Sequence, residues 1–306
     1  MKQLKDKNFN PFYWLTIFII VVKSDISKKF RYFHNLGYLI FFLIIYALII
    51  SLVESRYHAI GQSTDISSLL VVFNFIIGLL LVFRLNTAYA RWWDGRGQWG
   101  FLVNNCRNLA IKFDNYVGLN KDPLFRDCLS QFPALLKFHL RKEWDSSRKL
   151  VSDLGLTYVD DHHLPNLVIH RMSKILNHYR KNGTITFEQY LAAEENLSAM
   201  TDILGACEKI RNTPVPAGYA FFIKLALFVY MLLFPLDWVD SFSFWIMPIV
   251  IIIIYTMLGI EILAEEMEEP FGYDSNDLKL DSLSATIRDN VLSISKLSEE
   301  SIYTPK

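Results

Sequence analysis

Three groups of residues in this sequence have the types and spacing to do chemistry. Asp160, Asp161, His162 and His163 stand side by side, yet adjacent residues point in different directions on any regular element, and no HExxH or similar spacing supports them. They read as a polar loop. Glu266, Glu269, Asp274 and Asp277 gather carboxylates near the C-terminal end, and by themselves they read as a solvated acidic helix end. The third group is the run Phe83, Arg84, Leu85, Asn86, Thr87, Ala88, Tyr89, Ala90, Arg91, Trp92, Trp93, Asp94, Gly95, Arg96. Its arginines suit phosphate headgroups or helix C-termini, and its Tyr and Trp side chains suit a membrane interface. Cys106, Cys128 and Cys207 are odd in number and lack CxxC spacing, so they read as reduced structural thiols.

Apolar stretches must position these groups. Of 306 residues, 52% are hydrophobic and 15% aromatic, and the mean hydropathy is +0.23, more apolar than an ordinary soluble domain. Four stretches are long and apolar enough to span a bilayer as helices: 36–53, 66–83, 217–236 and 242–263. The linker from Glu54 to Asp65 and the acidic connection from Asp237 to Asp240 make two antiparallel hairpins. Lys224 lies inside the third span near its start, where its ammonium can snorkel to the interface. Phe12 to Val22 lacks a small-x-small cleavage site and runs into Lys23, which favours an interfacial or re-entrant helix over a cleaved signal.

Basic residues set the orientation. Lys23, Lys28, Lys29 and Arg31 precede the first span and Arg84, Arg91, Arg96 and Arg107 follow the second, whereas the short connections hold only Arg56. The positive-inside rule places both termini and the long middle segment in the cytoplasm of a multi-pass protein of the cell membrane. That gives an N-terminal cytosolic or interfacial segment (1–35), a transmembrane hairpin (36–90), a cytosolic domain (91–216), a second hairpin (217–263) and a cytosolic tail (264–306). The middle segment shows helical periodicity, as in Phe132, Leu135, Leu136, His139 and Leu140, with breaks at Pro123 and Asn182-Gly183 and a fresh start at Thr186-Phe187-Glu188. The expected fold is all-α. Balanced charge, with Lys+Arg 31 against Asp+Glu 31, gives no reason to invoke nucleic acid.

The run FRLNTAYARWW at the end of a membrane span resembles the bestrophin family closely. Asn212-Thr213-Pro214-Val215-Pro216 before the third span and Glu269-Pro270-Phe271-Gly272-Tyr273-Asp274-Ser275-Asn276-Asp277-Leu278 after the fourth agree with it, over almost the whole chain. The resemblance implies a homopentameric ion channel, not an enzyme, whose partners are its own copies, membrane lipid and inorganic ions. Chloride is the family's permeant ion, and bacterial members can favour monovalent cations. By the same resemblance Arg84, Asn86, Tyr89, Arg91, Trp92 and Trp93 form the family motif, Phe75, Leu79 and Phe83 a hydrophobic neck lined by the second helix, and Val215 a second aperture at the cytoplasmic mouth. Eukaryotic relatives clasp calcium with the segment after the fourth helix. Here Ser275 and Asn276 interrupt that acidic run, which leaves Asp274 and Asp277 as candidate ligands and implies no resident cofactor. The alternative is a membrane-anchored signalling or enzyme-like protein whose cytosolic helices bind a partner or metabolite, but no nucleophile-base pair, phosphate loop or metal motif stands between Arg84 and Pro216.

Overall fold

A computed structural model describes residues 41–56, 64–158, 163–242 and 245–297, and all regular structure among them is helical. Helix α1 is described over 41–56. It is followed by α2 (Thr64–Tyr116), α3 (Pro123–Leu140), α4 (Trp144–Asp153), α5 (Leu164–Lys181), α6 (Phe187–Asn212), α7 (Ala217–Phe242), α8 (Ile246–Glu268) and α9 (Leu280–Leu297). The proposed interfacial helix at Phe12 to Val22, the start of the first span and Asp160, Asp161 and His162 lie outside the described residues.

The described residues form two compact units. One takes residues up to Leu85 with Gly218–Leu263, and the other takes Asn86–Ala217 with the described residues from Ala264 onward. Three described helices, Ser68–Tyr116, Ala217–Val239 and Ile246–Glu268, are long and apolar enough to cross a membrane. Two differ from the sequence expectation in length. Helix α2 does not stop at 83 but runs on to Tyr116, 53 residues in all, because nothing between Arg84 and Tyr116 is proline and the few glycines there weaken a helix without ending it. Helix α7 likewise runs through Asp237 to Phe242. Acidic residues alone do not terminate a helix.

In the membrane unit, Leu43 and Ile50 of α1 share one core with Leu70, Ile77 and Leu81 of α2, Ile223, Leu227, Tyr230 and Phe234 of α7, and Val250 and Ile254 of α8. The Tyr46 hydroxyl donates to the Leu232 carbonyl at 3.1 Å, which satisfies a phenol placed among apolar groups. Lys224 is exposed two turns into α7.

The second unit packs the end of α2 with α3–α6 and α9 around Trp99, Phe113, Phe125 and Phe132. Phe113 stacks on Phe125 with centroids 3.7 Å apart. Local signals fix its helix ends. Asp122 caps α3 through the Phe125 N–H at 2.9 Å, with Pro123 pre-set at the first helical position. Gly183 takes φ +70° after α5, and Thr186 and Gln189 close a reciprocal capping box at the start of α6. Cys106, Cys128 and Cys207 are free and buried, and burial pushes each thiol up to about 12.

Candidate pore helix and its anchors

Helix α2 has two distinct faces within the membrane unit. At about 100° per residue, Leu70, Ile77, Leu81 and Arg84 fall within one narrow arc, and all four are buried. Phe75, Leu79 and Phe83 fall roughly opposite, and are 73%, 47% and 54% exposed. Three large apolar side chains therefore line a stripe that stays largely exposed.

The sequence suggests a headgroup or helix C-terminus for Arg84, but the structure buries it. Its side chain is 1% exposed and its Nε lies 3.5 Å from Oε2 of Glu261, itself 4% exposed. The interior of the unit thus holds an ion pair joining α2 to α8. Glu261 lies within the fourth apolar stretch, 242–263. The signal was present, since extending the buried stripe of Val250 and Ile254 by helical period lands on Glu261 and then on Glu268.

In the second unit, Arg91 does serve helix C-termini. Its guanidinium donates to the carbonyls of Ile210 at 2.6 Å, Thr213 at 2.8 Å and Glu268 at 3.1 Å, closing carbonyls left open at the ends of α6 and α8. The Glu268 carboxylate, another residue the sequence reading missed, accepts from the Val215 N–H at 3.0 Å. The non-helical stretch that carries Val215 is therefore held at Thr213 and at Val215 itself by charged side chains. Tyr89 stacks with Trp92 and Trp93 at 6.2 and 6.3 Å. Tyr89 and Trp93 stay exposed, as does Asn86, while the Trp92 Nε1–H donates to the Asn276 carbonyl at 2.9 Å.

The segment after α8 packs tightly on α2 and α3. A Cβ at Gly95 would meet the Phe271 ring at 3.1 Å and Pro270 at 3.2 Å. Gly95→Val is expected to destabilise this unit by about 1–3 kcal/mol through overpacking, seen as a lower Tm in detergent. An unchanged Tm would show that Phe271 yields. Arg141 donates to the Phe271 carbonyl at 3.2 Å and covers the Tyr273 ring at 4.2 Å. The Tyr273 hydroxyl donates to Glu143.

Calcium does not fit these donors as they stand. Asp274 is exposed, and its backbone N–H occupies Asp277 Oδ2 at 2.7 Å. Glu266 accepts from the Asn276 amide, and Arg141 adds positive charge beside Asp277. Among the described residues, no three acidic groups here converge within 4.8 Å. Asp277 Oδ1 is buried without a partner. Burial pushes the Asp277 carboxyl up to about 7, aided by the nearby charges of Asp274 and Glu266. A carboxyl raised in the folded state loses stability as pH climbs from its unfolded value toward and through 7. Raising pH from about 6 to about 8 is thus expected to remove on the order of 1 kcal/mol, and Asp277→Asn to flatten that slope. Identical pH dependence of Tm in both proteins would refute the assignment.

Comparison with known proteins places the fold and the family. Residues 15–293 match the family described as Bacterial/Fungal Bestrophin protein. A voltage-dependent anion channel-forming protein of Nostoc is 35% identical over 74% of this chain and 77% of its own length, and one of Synechocystis is 34% identical over 72% and 75%. A bacterial bestrophin homologue from Klebsiella pneumoniae superposes with a TM-score of 0.76 at 23% identity, covering 85% of this chain and 98% of that one. A match across nearly the whole length, joined to relatives above 30% identity and apolar helices of spanning length, leads to one assignment: this membrane protein belongs to the Bacterial/Fungal Bestrophin family.

Proposed function

We propose that this chain forms a homopentameric channel for small inorganic ions in the cell membrane, with both termini in the cytoplasm and α2 of each copy lining a central pore. One observation carries the reading: Phe75, Leu79 and Phe83 form an exposed stripe opposite the buried face of α2. An exposed apolar stripe on α2 suits contact with a symmetry axis. Repeated around that axis, it makes stacked apolar rings. A hydrated ion passing such rings must shed water where nothing replaces its shell, so the constriction gates by dewetting. Val215, held by its N–H and by the Arg91 clamp, supplies a second apolar ring. The mechanism needs positioning and no catalysis or resident cofactor.

Relatives named as anion channel-forming proteins support anion passage here, with chloride as the test ion. Apolar rings do not set the sign of the ion by themselves. Reconstitution in planar bilayers with unequal chloride salt on the two sides is expected to give currents whose reversal potential follows the chloride gradient. A reversal potential that follows the cation overturns anion selectivity, and absence of current from the wild type and from a widened neck overturns the channel. Light scattering in detergent tests the pentamer by mass.

A further inference from the structure

A separate cluster in the cytosolic unit has no part in the proposed pore. His163, which the sequence sets among Asp160, Asp161 and His162, meets residues from elsewhere in the chain. His139 ends α3, His163 caps the start of α5, and Glu208 sits near the end of α6. His139 Nε2 and His163 Nε2 lie 2.7 and 2.6 Å from the same oxygen, Glu208 Oε1. Donor atoms of all three residues fall within 4.8 Å of one another. We propose that His139, His163 and Glu208 form a binding site for a borderline divalent cation of the zinc class.

Two imidazoles and one carboxylate are a ligand set that zinc takes in sites keeping an open position. Tetrahedral zinc separates its ligand atoms by about 3.3 Å, given bonds of roughly 2.0–2.1 Å. The two nitrogens and Oε1 therefore have to part by a little over half an ångström. His163 and Glu208 can move that far, because their side chains are 36% and 26% exposed, whereas His139 is 12% exposed and fixed in place. The same exposure admits a water as fourth ligand.

Two features oppose the ion and set what binding must change. His163 Nδ1 accepts a long 3.4 Å bond from the Asn166 N–H. Metal on Nε2 moves the ring proton to Nδ1, so this weak cap bond is released. Arg211, whose guanidinium donates to the His139 carbonyl at 3.1 Å, brings positive charge close. Bound metal would tie α3, α5 and α6 together five residues before Thr213, whose carbonyl Arg91 holds.

Cobalt, a spectroscopic stand-in for zinc, tests this in the full-length protein in detergent. The wild type is expected to show visible d–d bands at one cobalt per chain, displaced by zinc. His163→Gln is expected to weaken zinc at least about tenfold and abolish the bands, and Glu208→Gln to do the same as an independent check against misfolding. The paired control His170→Gln with His178→Gln leaves both signals unchanged. Absence of stoichiometric binding, or binding that survives His163→Gln and Glu208→Gln, overturns the site. Loss of binding in the control pair does so too.

Discussion

Bilayers containing the triple variant Phe75→Ala, Leu79→Ala, Phe83→Ala are expected to carry several-fold more current than the wild type at the same voltage, with the reversal potential unmoved. The three side chains are 73%, 47% and 54% exposed, so truncating them removes little of the unit's own packing. What it removes is the apolar bulk that would exclude water from a narrow pore. Ile77 and Leu81, on the opposite face, are 1% and 4% exposed. Alanine there is expected to lower Tm by an amount worth about 2–5 kcal/mol without a comparable gain in current. Equal currents from the wild type and the triple variant would mean the stripe faces lipid or a neighbouring helix rather than the ion path.

Removing one member of the buried Arg84–Glu261 pair is expected to be the most destabilising single change in the membrane unit. Both side chains are nearly inaccessible, and their charged atoms stand 3.5 Å apart. Arg84→Met alone, or Glu261→Leu alone, breaks a buried ion pair by removing one member, which commonly costs about 3–5 kcal/mol. The double variant loses both charges and refills the space with apolar groups, so it is expected to be more stable than either single variant. Thermal unfolding of all four proteins in one detergent measures the coupling. Strictly additive losses would show that the two charges act independently.

Much of the local structure was legible in the sequence because short-range chemistry determines it. Asn182-Gly183 and Thr186 predicted a helix end and a helix start, and the structure has a positive-φ glycine and a capping box there. Phe132, Leu135, Leu136, His139 and Leu140 were placed on one face by spacing; the four apolar residues are buried and His139 is half-buried. The assignment of Arg91 to helix C-termini also followed from residue type. Its three carbonyl partners did not, because Ile210, Thr213 and Glu268 lie more than a hundred positions away. Arg84 was misplaced for the same kind of reason. A charge beside an apolar span reads as interfacial until the fold supplies a buried partner.

Residue order alone determined an apolar, all-helical chain with helices of spanning length and the family motif from Phe83 to Trp93, since hydropathy, periodicity and motif spacing are properties of neighbouring positions. Only the tertiary structure decided which face of α2 is exposed, that Arg84 is buried with Glu261, that Glu268 holds Val215, and that His163 meets His139 and Glu208. Each depends on helices far apart in the chain packing side by side, and burial and long-range pairing leave no periodic trace in either partner taken by itself.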